Sequence, residues 1–306
     1  MPVVEAERQE ASMLTDRIER VLEKGLESQL QSNAPPRLAA AIRHAVFPGG
    51  ARVRPHLCLA VALACGDDDP RLAEAYAAAL ELLHCASLVH DDLPCFDNAA
   101  TRRGVPTVHA AYGERLAVLS GDALIVMAFR MIATARAHEP HRMAPLLDAL
   151  SAAVGPPHGI VAGQAWECES KADLTRYQRE KTGALFTAAT VGGAMAAGGD
   201  PRAWQRLGDA IGEAYQVADD IRDVLLDVTE LGKPAGQDLT HDRPSSAREL
   251  GLEGAVAYFD GLIAEAVASI PACRGATTLR QLVLAQARRL LPDEHCAGLR
   301  RHPLGA

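Results

Sequence analysis

Two runs of apolar residues at helical spacing each end in a cluster of aspartates, and this combination limits the folds open to the chain. Leu80, Leu83 and Ser87, with their apolar neighbours, lead into Asp91-Asp92-Leu-Pro-Cys-Phe-Asp97. Ile211 to Ala218 leads into Asp219-Asp220-Ile-Arg-Asp223. Apolar positions three and four apart mark helices. A helix of that kind carries its terminal carboxylates toward the interior, where a bare charge is costly and requires a partner. Asp219 and Asp223 are four apart and Asp220 and Asp223 three apart, so all three project into one region. Asp91 and Asp97 are six apart, too far for one face of a straight helix, but Pro94 breaks the helix and lets the chain return Asp97 toward Asp91.

The rest of the chain reads as helices divided by proline and glycine. Residues 8–31 carry Glu and Lys/Arg at three- and four-residue spacing. Further helices are predicted over 37–46, 55–64, 71–93, 115–136, 159–170, 173–199, 202–229, 252–269 and 276–291. Phe47-Pro-Gly-Gly50 reads as a turn and residues 94–106 as a loop. Asp67-Asp68-Asp69 stands before Pro70 at the start of a helix, so this third acidic group is read as a cap and dipole partner. No strand alternation, internal repeat or linker is apparent. The expected fold is all-α: a single domain over residues 1–306, a bundle of about ten or more helices around a deep cavity.

Composition narrows the function. Apolar residues make up 48% of the chain but aromatics only 4%, which favours helices packed through small side chains. A net charge of -8 argues against nucleic acid as a partner. The seven cysteines are scattered without a CxxC pair, which points away from disulfides and zinc and toward a reducing cytoplasm. The first residues lack an apolar signal region. The uncharged stretch 183–199 is broken by internal glycines, so no membrane span is expected.

Repelling carboxylates on one patch are relieved by a cation. Magnesium suits them, since it prefers hard oxygen ligands and bridges one or two carboxylates to substrate phosphates. A diphosphate also needs cations from the protein. Thr101-Arg102-Arg103-Gly104 follows the first cluster directly, Gly49-Gly50-Ala51-Arg52-Val53-Arg54 follows a turn, and Lys181 and Lys233 flank the second cluster in sequence. Arginine forks match phosphate oxygens in a bidentate way.

FPGGARVRP (47–55), ELLHCASLVHDDLPCFDNAATRRG (81–104), HAAYGERLAVLSGDAL (109–124), GQAWE (163–167), KTGALF (181–186), YQVADDIRD (215–223) and LGKPAGQD (231–238) together resemble a trans-isoprenyl diphosphate synthase. The resemblance runs from about residue 35 to 245 and is nearest to the geranylgeranyl diphosphate synthases of bacterial carotenoid and bacteriochlorophyll pathways. It implies condensation of isopentenyl diphosphate with an allylic diphosphate (dimethylallyl, geranyl or farnesyl) and a homodimer. It assigns Asp91, Asp92, Asp97, Asp219, Asp220 and Asp223 to about three magnesium ions on the allylic diphosphate. Arg102, Lys181 and Lys233 would add charge there, with Thr182 and Gln216 beside the developing cation. Isopentenyl diphosphate would bind without metal on Arg54, His84 and Arg103.

The family commonly has a lysine where this chain has Ala51, and Arg52 is the nearest cation that could compensate. Geranylgeranyl synthases can share this alanine. Ala86 and Ser87 lie about 6–8 Å below Asp91 along the helix, and small side chains there favour a C20 product over C15. A farnesyl diphosphate synthase and a non-catalytic partner subunit stay open as alternatives. A terpene cyclase is disfavoured by the intact second aspartate cluster.

Overall fold

The computed structural model describes residues 2–31, 33–47, 50–170, 174–225 and 246–292. Its helices, in chain order, are α1 (Pro2–Leu30), α2 (Pro36–Val46), α3 (Val53–Cys65), α4 (Pro70–Asp91), α5 (Val108–Tyr112), α6 (Glu114–Ala133), α7 (Met143–Val154), α8 (Ile160–Ala165), α9 (Leu174–Gln178), α10 (Ala184–Ala196), α11 (Gln205–Leu225), α12 (Ser246–Ser269) and α13 (Ala276–Leu290). The all-α expectation holds, with one exception among the described residues. Thr101–Arg102 and Val105–Pro106 form a minimal antiparallel hairpin where a plain loop was expected. Helix α7 was also missed, and the run expected over 173–199 is interrupted by a π turn at Arg179–Gly183.

The chain divides into two compact units: residues 1–63, 67–150 and 192–199 in one, and 64–66, 151–191 and 200–306 in the other. In the first, α4 packs on α6 and α1. Leu14, Ile18, Leu22 and Leu26 form a buried stripe at four-residue spacing on α1. Helix α4 is buried on nearly all sides, from Leu72 to Val89. It starts where the acidic triplet predicted. Asp69 caps it by accepting from the Leu72 amide at 3.3 Å, and Pro70 occupies its first turn. Asp67 pairs with Arg17 at 3.1 Å and Asp68 with Arg142 at 2.7 Å, so all three aspartates serve the fold.

In the second unit, α11 packs on α12. Val217, Ala218 and Ile221 join Val256, Phe259 and Ile263 in its core. Gly212 lets α11 approach the chain at Gly183, where a Cβ would lie 2.8 Å from that residue's Cα.

Among the described residues two helices, α4 and α6, are long and apolar enough to cross a membrane by length and composition. The most apolar stretch of α4 is 78% buried, as a core helix requires, whereas that of α6 is only 39% buried.

Candidate active site

Helix α4 ends at Asp91, three residues before Pro94, because a residue preceding proline disfavours the helical conformation. The following chain folds back on the helix end. The Asp97 amide donates to the Asp91 carbonyl at 3.0 Å and the Ala99 amide to the Asp92 carbonyl at 3.2 Å. The return of Asp97 to Asp91 is therefore built by backbone hydrogen bonds.

The hairpin that follows explains the Arg-Arg-Gly triplet. Arg103 (φ 53) and Gly104 (φ 78) are its two turn residues, both in the left-handed region that tight two-residue turns demand. Arg102, on the first strand, points back at the cluster. Its Nε donates to Asp92 Oδ1 and Oδ2 at 2.9 and 3.0 Å, and its Nη2 to Oδ1 at 2.6 Å; Asp91 Oδ2 lies 3.8 Å away. Burial pushes the Asp92 carboxyl up and Arg102 opposes it. Arg102 thus balances the charge of Asp92 within the cluster.

Arg103 lies over Gly50, where a Cβ would come 2.3 Å from its Nη1. This close approach is what the glycine permits. His84 is held well below its usual range by burial first, then by the charges of Arg54, Arg103, Arg102 and Arg52, so the imidazole is neutral. The groups expected to hold isopentenyl diphosphate therefore act on one another. Ala86 is buried in α4, and the half-buried Ser87 turns its hydroxyl onto the His84 carbonyl at 2.8 Å. A small cavity of about 50 Å³ is lined by Cys85, Leu88, Asp92, Arg102, Arg103 and Val105, among others. A wider open depression of about 590 Å³ along α1 is lined, among the described residues, by Ser12, Met13, Asp16 and Arg20.

Arg52 requires a correction. It is 3% exposed and committed to Glu81 at 2.7 Å, Glu19 at 2.8 Å and the Val46 carbonyl at 2.8 Å. A guanidinium enclosed in that way does not replace the lysine absent at Ala51.

On α11 the three aspartates are not equivalent. Asp220 is buried, accepting from Gln216 Nε2 at 3.0 Å and from the Ser246 amide, at the start of α12, at 2.8 Å. Asp219 and Asp223 are half-buried, and Arg222 stands 3.7 Å from Asp219. Thr182 donates to Gln216 Oε1 at 3.0 Å, so Thr182, Gln216 and Asp220 form one chain of hydrogen bonds. Lys181 donates to Glu167 at 2.6 Å, and the Tyr177 hydroxyl donates to the same oxygen at 2.6 Å. Lys233 lies outside the described residues.

Both clusters offer carboxylate oxygens, the hard donors that magnesium prefers. Among the described residues no three His, Cys, Asp or Glu side chains converge as a closed cage. Such a donor set fits an ion whose coordination is completed by substrate phosphates and water. The sequence reading missed the partners of these groups: Asp92 for Arg102, Glu167 for Lys181 and Ser246 for Asp220. Glu167 stood in a quoted motif, but nothing in its spacing announced the lysine fourteen residues on.

The polyprenyl synthetase family profile matches residues 35–257. A geranylgeranyl diphosphate synthase of Cereibacter sphaeroides is 54% identical over 281 residues, spanning 92% of this chain and 98% of that one. One from Rhodobacter capsulatus is 50% identical over 278 residues, spanning 91% and 96%. Among solved structures, a geranyltransferase from Helicobacter pylori complexed with magnesium and isoprenyl diphosphate superposes with a TM-score of 0.78 at 33% identity, covering 92% of this chain and 98% of that one.

Proposed function

The chain belongs to the polyprenyl synthetase family, and from that premise we propose that it is a prenyltransferase that condenses isopentenyl diphosphate with allylic diphosphates to make geranylgeranyl diphosphate. The observation that carries the C20 reading is the 54% identity with a synthase of that name over 98% of its length. The same match is why we favour it over a farnesyl diphosphate synthase or a non-catalytic subunit.

In the proposed reaction the allylic C–O bond breaks, releasing diphosphate. The terminal carbon of isopentenyl diphosphate forms the new C–C bond, and the proton then lost goes to the released diphosphate. Magnesium, when bound by Asp91, Asp92, Asp97, Asp219, Asp220 and Asp223, supplies Lewis-acid neutralisation of the leaving group. About three ions would serve six carboxylates. Lys181, Lys233 and Arg102 hold the allylic diphosphate, and Thr182 and Gln216 direct oxygen dipoles at the developing cation. Arg54 and Arg103 hold isopentenyl diphosphate by charge, while neutral His84 contributes a hydrogen bond. We assign these roles to one catalytic domain spanning residues 1–306, acting as a homodimer in the cytoplasm.

Incubation with isopentenyl diphosphate and each allylic primer, with and without magnesium, tests this directly. Magnesium-dependent growth to C20 is expected, and its absence removes the catalytic reading. Ala86→Phe is expected to end the product at C15. An unchanged product would place the floor of the prenyl cavity elsewhere.

A further inference from the structure

Glu180 is a buried carboxylate, 3% exposed, in the residue directly before Lys181. It accepts from three donors on three separate segments: His158 Nδ1 at 3.0 Å, Trp166 Nε1 at 2.7 Å and Arg176 Nε at 2.9 Å. The Arg176 guanidinium also lies 4.7 Å from the centre of the Trp166 ring, closing the cluster on itself. Burial alone would push the Glu180 carboxyl up. The hydrogen bonds from Arg176, His158 and Trp166 outweigh it and bring the group down to about 2, so it is fully charged.

The backbone around Glu180 is unusual. Arg179–Gly183 is a π turn, a wider loop than the α-helix on either side of it, and such single turns are costly unless surrounding contacts fix them. Here the contacts come from two directions. Glu180 ties the turn to three neighbouring segments. Gly163 lets α8 press on the Lys181 backbone, where a Cβ would lie 2.2 Å from the Lys181 nitrogen. The turn sends Glu180 inward, Lys181 to Glu167, and Thr182 to Gln216 and through it to Asp220.

We propose that Glu180 is a positioning residue. It anchors the π turn so that the Lys181 ammonium and the Thr182 hydroxyl are presented beside Gln216 and Asp220 for the allylic diphosphate. The inference rests on the substrate reading above, and it is specific to the allylic side. A carboxylate that merely stabilised the fold would affect both substrates alike.

Three measurements on Glu180→Gln and Trp166→Phe separate these possibilities; the second variant removes one donor and retains an aromatic ring should the first fold poorly. In steady-state kinetics, Glu180→Gln is expected to raise KM for the allylic diphosphate by about 10- to 100-fold, as misplacement on the ångström scale does. KM for isopentenyl diphosphate should stay within about twofold. In calorimetry with magnesium, inorganic diphosphate should bind about tenfold more weakly. In timed acetylation read by mass spectrometry, Lys181 should label faster as it leaves Glu167. Trp166→Phe should move each quantity in the same direction by less.

If wild-type protein is active but both variants keep their allylic KM, diphosphate affinity and Lys181 labelling, the positioning role is wrong and the enzyme reading stands. An equal loss toward both substrates also overturns it. If wild-type protein neither elongates nor binds diphosphate, the enzyme reading fails, and Lys181 labelling alone decides whether Glu180 orders the turn.

Discussion

Arg52 and Arg54 stand two residues apart in the same motif, yet the work proposed for them differs: a buried ion pair for the first and isopentenyl diphosphate for the second. Arg52 adopts the left-handed region at φ 46, a conformation costing an ordinary residue about 1–2 kcal/mol. What offsets that cost is the set of partners reached from it, above all Glu81, whose side chain and that of Arg52 are each only 2% exposed. No spacing rule distinguishes the two arginines, because burial of the first depends on a glutamate twenty-nine residues away. The aspartates were more legible, since carboxylates at the ends of apolar runs leave few structural explanations. Even so, the sequence could not tell buried Asp220 from half-buried Asp219 and Asp223. Removing one partner of a buried pair leaves the other charge stranded, at a cost of about 3 kcal/mol or more. Glu81→Ala is therefore expected to lower the urea midpoint with an unchanged slope. A midpoint equal to wild type would show that Glu19, which shares Arg52, suffices alone.

At the scale of elements, helix starts were easier to foresee than local irregularities. Asp69 with Pro70 marks the first residue of α4 by cap chemistry, and Pro94 marks its end to within three residues. The π turn was invisible because one inserted residue leaves the apolar spacing on both sides intact. The hairpin was missed because two-residue strands carry no alternation to detect. Its turn nevertheless follows from elementary sterics. Gly104 sits at φ 78 with open space where a Cβ would go, so a substitution there changes backbone preference and nothing else. Gly104→Ala should cost about 1–2 kcal/mol. Because the turn aims Arg102 at Asp92 and carries Arg103, it should also raise KM for isopentenyl diphosphate while the variant remains folded. A variant matching wild type in both thermal unfolding and KM would mean that the turn does not hold these arginines in place.

At the scale of the whole molecule, α6 separates what the chain buries from what it leaves apolar. Helix α4 is slightly longer and less apolar than α6, and it disappears into the first unit. Helix α6 keeps Val118 at 42%, Leu119 at 52% and Val126 at 66% exposure on its outer side. Grouped on one face, these side chains make α6 the place to look for the partner surface that the proposed homodimer requires. Its composition was readable in the sequence, whereas its exposure was not, because spacing alone cannot tell which of its many apolar positions meet a neighbour. Asp122 is exposed within the same face and Arg130 lies two turns further on, so a second copy running antiparallel would set opposite charges against each other. A lipid core would instead penalise both. The face therefore favours the homodimer proposed above, an isologous pair formed through α6. Sedimentation velocity of the full chain should give a species of twice the 32.5 kDa chain mass. Val126→Glu, which brings two like charges together across the symmetry axis, should shift it toward the single-chain mass with its helical signal retained. A wild-type protein that sediments as one chain at micromolar concentration would overturn the homodimer, and a Val126→Glu variant that stays paired would move the interface away from α6.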